Sequence, residues 1–132
     1  MPVRYVIDPQ RQRIHTTCDG FVTFEEVCQH FEELRRNPEF RERLDVLLDL
    51  TSLTSIPTAE QLRGVVEQVA LTGGRWRFGA CAIIAADEAL FGVVRFLEVY
   101  AIDVFTGTKV FRIADEGERW LASLEEMKKD SR

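Results

Sequence analysis

From Phe78 to Ala86 the chain reads FGACAIIAA, with no charge and no alternation of polar and apolar positions. A strand with one wet face alternates with a period of two, so this run predicts a strand covered on both faces. Its small residues suggest helices pressed close on either side, and it is too short to span a bilayer. A chain built around such a strand needs a layered α/β fold with crossovers that run over both faces.

The segments on either side supply those crossovers. Val3 to Ile7 and Ile14 to Cys18 both alternate, with Val3, Tyr5 and Ile7 on one face and Ile14, Thr16 and Cys18 on another. Asp8-Pro9-Gln10 between them is a turn signal, so the pair predicts an antiparallel hairpin ended by Gly20. Thr23 and Glu26 are spaced as a capping box, with Val22 and Val27 as a hydrophobic staple. Phe24, Val27, Cys28, Phe31 and Leu34 then recur at helical spacing until Asn37-Pro38. Val46 to Leu50 reads as a buried strand. After a polar loop, Pro57-Thr58 opens a helix with Thr58 as N-cap, Gln61 completing its capping box and Gly73-Gly74 closing it. Asp87 caps a helix running to about Asp103, whose polar residues form one narrow stripe, so burial on more than one side is expected. Thr108 to Ile113 alternates again, and Asp115 with Glu118 marks the start of a short last helix.

The order is β-β-α-β-α-β-α-β-α. It predicts one α/β domain over residues 1–132, a mixed five-stranded sheet whose first strand is antiparallel and the rest mostly parallel, with four helices. Residues 127–132 read as a polar tail. At 132 residues there is room for one real core, not two.

Charge and cysteine usage narrow the partners. Seventeen basic against 22 acidic residues give a net charge of −5, which argues against nucleic acid as the main partner. MPVRYVIDPQ carries no apolar run of signal-peptide length, and no integral membrane segment is visible, so a cytoplasmic location is expected. Cys18, Cys28 and Cys81 are odd in number and widely spaced, and read as reduced core thiols.

Two segments resemble a known group. LLDLTSLTSIPTAEQL is similar to the strand-loop-helix of STAS domains, the sulfate-transporter and anti-sigma-factor-antagonist family. The helix DEALFGVVRF, from Asp87, resembles bacterial proteins of the SpoIIAA-like, or STAS/SEC14-like, group. The resemblance implies a SpoIIAA-like fold over nearly the whole chain. In the antagonist branch the second helix opens with Asp-Ser-Ser-Gly, and a serine there is phosphorylated to switch partner binding. Laid on this chain those positions are Pro57, Thr58, Ala59 and Glu60, so Thr58 alone keeps a hydroxyl and is the phosphoacceptor the resemblance implies. Glu60 in the same turn would repel a phosphate, and the residues themselves favour a plain N-cap worth about 1 kcal/mol.

Catalytic constellations are not visible. His15 and His30 have no neighbour at metal-ligand spacing, and His30 reads as solvated, off the Phe24/Val27/Phe31 stripe. The adjacent carboxylate pairs do not face one another on a helix. Asp49 is an acid in an apolar strand, near whose end it is expected to bond local backbone N–H groups. Arg75-Trp76-Arg77 offers a basic-aromatic cluster for an acidic partner, against the plainer reading of a solvated loop.

A non-enzymatic protein-interaction or regulatory module without cofactor or metal is therefore expected. Its contact with an unknown protein partner would involve the loop mouths and helix starts at Thr54, Ser55, Pro57, Thr58 and Asp87. A homodimer is expected, with Phe91, Phe96, Tyr100 and Phe105 as the face for self-association or, as the lesser alternative, for an apolar ligand. The alternative, implied by the SEC14-like resemblance, is carriage or sensing of a small apolar ligand or lipid. Its pocket would lie between the sheet and the Phe91/Phe96 helix.

Overall fold

The computed structural model describes residues 2–41, 43–73 and 78–130. A hairpin of β1 (Val3–Asp8) and β2 (Arg13–Gly20) opens the chain. Its turn is held by Asp8, whose Oδ1 accepts from the N–H groups of Gln10 and Arg11. There follow α1 (Phe24–Arg36), β3 (Asp45–Leu53), α2 (Ala59–Gly73), β4 (Ala80–Ile84), α3 (Glu88–Val94), α4 (Leu97–Tyr100), a 3-10 turn (Ala101–Asp103), β5 (Gly107–Phe111) and α5 (Ala114–Asp130).

The five strands lie side by side in chain order, β1 antiparallel to β2 and every later pair parallel. This is the mixed sheet expected. Because strands are added in one direction, successive right-handed crossovers fall on the same face. Residues of α1, α2 and α3 accordingly share one core with Ile14, Val46, Leu50, Cys81, Ile83 and Val110. The chain then crosses over, and α5 covers the other face with Leu121 against Leu47, Ala80, Ala82 and Ile84. Strand β4 thus sends Cys81 and Ile83 to one layer and Ala80, Ala82 and Ile84 to the other, which is why its sequence shows no alternation.

Close approaches sit where side chains are missing. A β-carbon on Gly117 would meet Ile84 Cδ1 at 2.6 Å, so α5 lies tight on β4. A β-carbon on Gly79 would fall 2.3 Å from Asp45 Oδ1, the buried carboxylate oxygen that accepts from Ala80 N–H at 2.9 Å. Gly20, at φ 67°, ends β2 in the left-handed region that glycine adopts without strain.

Five expectations are corrected. The helix from Asp87 to about Asp103 is broken: α3 ends at Val94, α4 is one turn, and a 3-10 turn follows. It is not buried on several sides, since Val99 is 77% and Ile102 68% exposed. Its apolar stripe follows the turns of the broken chain, which packs only its inner side on β5 and α2. The last helix is not short: α5 begins at Ala114, placing Asp115 inside the first turn, and continues to Asp130 through most of the expected polar tail. Cys28 is only half-buried, and His30 is buried rather than solvated. The Gly73-Gly74 stop and the Arg75-Trp76-Arg77 cluster reach into residues 74–77, outside those described. Among the described residues no helix is long and apolar enough to cross a membrane.

Candidate functional site

The capping box of α1 is in place: Thr23 Oγ1 accepts from Glu26 N–H, and Glu26 Oε1 from Thr23 N–H. The same device opens α2, where Gln61 N–H donates to Thr58 Oγ1 at 3.1 Å and Thr58 N–H to Gln61 Oε1 at 2.9 Å. The loops before these two helices are joined. Thr54 N–H donates to Gly20 O, and Val22 N–H to Ser55 Oγ. Two helix starts are therefore held side by side over the ends of β2 and β3.

Behind them the layer between the sheet and α1/α2 is not filled. A cavity of about 650 Å³ runs under both helices, floored by Thr16, Cys18, Val46, Leu48 and Leu50 and walled by Val27, Phe31, Leu62, Val65 and Val69. That size lies within the range of small-molecule sites. The lining residues that reach solvent gather at the joined loops: Phe21 is 71% and Ile56 52% exposed, beside Thr54 and Gln61. This is the mouth. Its rim sets Glu25, Thr54 and Gln61 beside Phe21 and Ile56, large apolar side chains left exposed.

The interior holds few polar groups. Thr16 and His30 are 2% and 7% exposed, with Thr16 Oγ1 and His30 Nε2 3.5 Å apart. Burial pulls the His30 imidazole down to a pKa of about 4, so it is neutral at neutral pH. Burial, with the nearby Asp19 and Asp49 charges, pushes the Cys18 thiol up to about 11. Cys81, wholly buried, is raised further in the same direction. These thiols are inert packing groups, as expected.

The expected site residues divide. Thr54, Ser55 and Pro57 line the cavity at its mouth. Thr58 is exposed at the start of α2 and does not line it. Asp87 caps α3, accepting from Leu90 N–H at 3.0 Å, and lies outside the cavity lining. Of the four aromatic residues only Phe105 lines the cavity, stacked at a tilt on Phe78 with ring centroids 5.4 Å apart. Phe91 is covered by the Arg112 guanidinium at 4.1 Å. Phe96 and Tyr100 stack on each other at 4.9 Å, and the Tyr100 hydroxyl donates to Glu67 Oε1 at 2.9 Å, which raises its pKa. The pocket expected between the sheet and the Phe91/Phe96 helix therefore lies elsewhere, under α1 and α2. It touches the α3–α4 region through Val94, Leu97 and Ala101.

Asp49 behaves as expected, with Oδ1 accepting from Thr51 N–H and Thr51 Oγ1–H. The buried acid is Asp45, one residue before the strand expected at Val46 to Leu50, and it opens β3. Thr16 lies on the inward face that its alternation predicts, and His30 departs from the solvated position that its polarity predicts. The signal for it was present: Val27, His30, Phe31 and Leu34 are spaced by three, one and three, one helical stripe. Among the described residues no group of three or more His, Cys, Asp or Glu could hold a metal ion.

No protein-family model matches the chain, and no curated protein matches it. Among solved structures, an uncharacterized protein of the DUF3478 family with a SpoIIAA-like fold, from Shewanella loihica PV-4, is similar. The likeness has a TM-score of 0.62 at 19% identity and covers 90% of this chain and 93% of that one. The fold is thus SpoIIAA-like, as the two resembling segments implied.

Proposed function

We propose that this protein takes up a small apolar ligand between its sheet and the α1/α2 pair, as a carrier or sensor. The observation that carries this reading is the 650 Å³ cavity with an apolar lining and a mouth at the joined loops. An empty apolar space of that kind lowers stability, by about 24 cal/mol per Å³ where it has been created by truncation. A domain that worked only by docking its surface would have no use for it. Contact with a protein partner at Thr54, Ser55 and Pro57 is compatible with carriage, because those residues sit on the mouth and would report whether it is occupied.

Diphenylhexatriene, a hydrocarbon whose fluorescence rises on leaving water, tests the reading. The expected result is a saturable signal at one probe per chain. A signal that grows linearly without saturation, or none at all, removes the carriage reading.

A further inference from the structure

Resting on that reading, we propose that the cavity selects an uncharged chain-like ligand with one hydrogen-bonding oxygen, an alcohol or ketone type, seated at the Thr16–His30 pair. Carboxylate- or phosphate-bearing lipids are excluded.

Orientation would be set inside the cavity, at the Thr16–His30 pair. Thr16 Oγ1 and His30 Nε2 are both buried and 3.5 Å apart, at the outer limit of a hydrogen bond. Such a pair is under-used: a hydroxyl offers one donor and two acceptor sites, and a neutral imidazole one of each. A ligand oxygen placed against both can accept from one and, if it is a hydroxyl, donate to the other. Around the pair the walls are hydrocarbon, with Val27, Phe31 and Leu34 on α1 and Val46 and Leu48 on β3.

Charge is refused at both ends. Among the described residues no lysine or arginine lines the cavity, and the buried imidazole stays neutral at neutral pH. A carboxylate or phosphate at the Thr16–His30 pair would be a buried anion with no counter-charge, which is costly. The opposite orientation, with the head at the mouth, meets Glu25 in the lining itself. Glu25 and Glu26 occupy the first turn of α1 and Glu60 that of α2, so the positive ends of both helices already face carboxylates.

Displacement of bound diphenylhexatriene by 1-decanol and by decanoate at neutral pH tests the inference, with Thr16→Val and His30→Phe beside the parent protein. Thr16→Val is nearly isosteric and keeps the proposal testable should His30→Phe fold poorly. Decanol is expected to displace the probe at a concentration about tenfold or more below decanoate. Each substitution should weaken decanol by about three- to tenfold relative to the hydrocarbon probe and to decanoate measured on the same variant, the worth of one net hydrogen bond. Probe binding with equal potency of alcohol and carboxylate, or with decanol indifferent to both substitutions, overturns this inference and leaves carriage standing. Absence of saturable probe binding in the parent protein overturns both.

Discussion

Gly117 and Ile84 touch across the α5–β4 interface so closely that a β-carbon on the glycine would lie 2.6 Å from Ile84 Cδ1. Glycine inside a helix ordinarily costs about 1 kcal/mol relative to alanine. Here the close approach reverses the sign. Gly117→Ala is expected to destabilise by about 1–2 kcal/mol, overpacking outweighing the propensity gain. Gly92, inside α3 with nothing within 4 Å of its would-be β-carbon, serves as control: Gly92→Ala should stabilise by about 0.5–1 kcal/mol. Urea unfolding of the two variants measures both, and equal effects would mean that α5 does not sit this close.

His30 makes stability depend on pH. The unfolded chain takes up its imidazole proton near the ordinary value of 6.5, the folded chain only near 4. Between those values the unfolded state binds more protons, so this contribution is complete above pH 6.5 and is lost as pH falls toward 4. The shift corresponds to about 3 kcal/mol. His30→Phe should therefore lose less stability than the parent between about pH 7 and pH 4.5, as read from unfolding free energies at the two pH values. Parallel pH curves for the two proteins would place the imidazole in contact with water.

The start of α2 tests the cap against the switch. Thr58→Ala should cost about 1 kcal/mol, the usual worth of such a cap, and Thr58→Asp should recover most of it. Both are read from thermal unfolding. If Thr58→Asp instead lowers stability further, Glu60 in the same turn is repelling the new charge, and a phosphate there would be repelled more strongly.

Filling the cavity should trade binding for stability. Val65, half-buried on α2, lines the cavity wall. Val65→Phe is expected to weaken diphenylhexatriene binding by about tenfold or more while stabilising the chain by about 0.5–2 kcal/mol. Probe titration and thermal unfolding of one sample give both numbers. A variant that loses stability and keeps the probe would put the empty volume elsewhere.

Much of the architecture was legible because it rests on local patterns. The unalternating run at Phe78–Ala86, the two capping boxes and the Asp8 turn each state their geometry in a few residues, and all are observed. The break at Arg95–Phe96 was not legible, since no proline or glycine marks it. Tertiary demand makes it: Glu98 is brought round so that its Oε2 accepts from Val110 N–H on the sheet's edge strand. The cavity was legible only in part. Apolar positions on α1 and α2 predict that both helices face the sheet, but whether their side chains meet in the middle depends on helix separation. That separation is a three-dimensional quantity which Phe24, lying 3.0 Å from a would-be β-carbon on Gly64, helps to set. The burial of His30 follows from its helical spacing with Val27 and Leu34, which outweighs the polarity that points it to solvent.

The unequal packing of the two sheet faces has a mechanical consequence. Under α5 the contacts leave no slack, so that side acts as a stiff keel. Under α1 and α2 the helices stand off the strands, and their inward side chains have room to change rotamer with little disturbance to the ladder beneath. Were a ligand taken up as proposed, the deformation would be confined to one side of the molecule. The joined segments at Gly20–Val22 and Thr54–Ser55 turn whatever displacement occurs there into a change of the outer contour that a second molecule could sense.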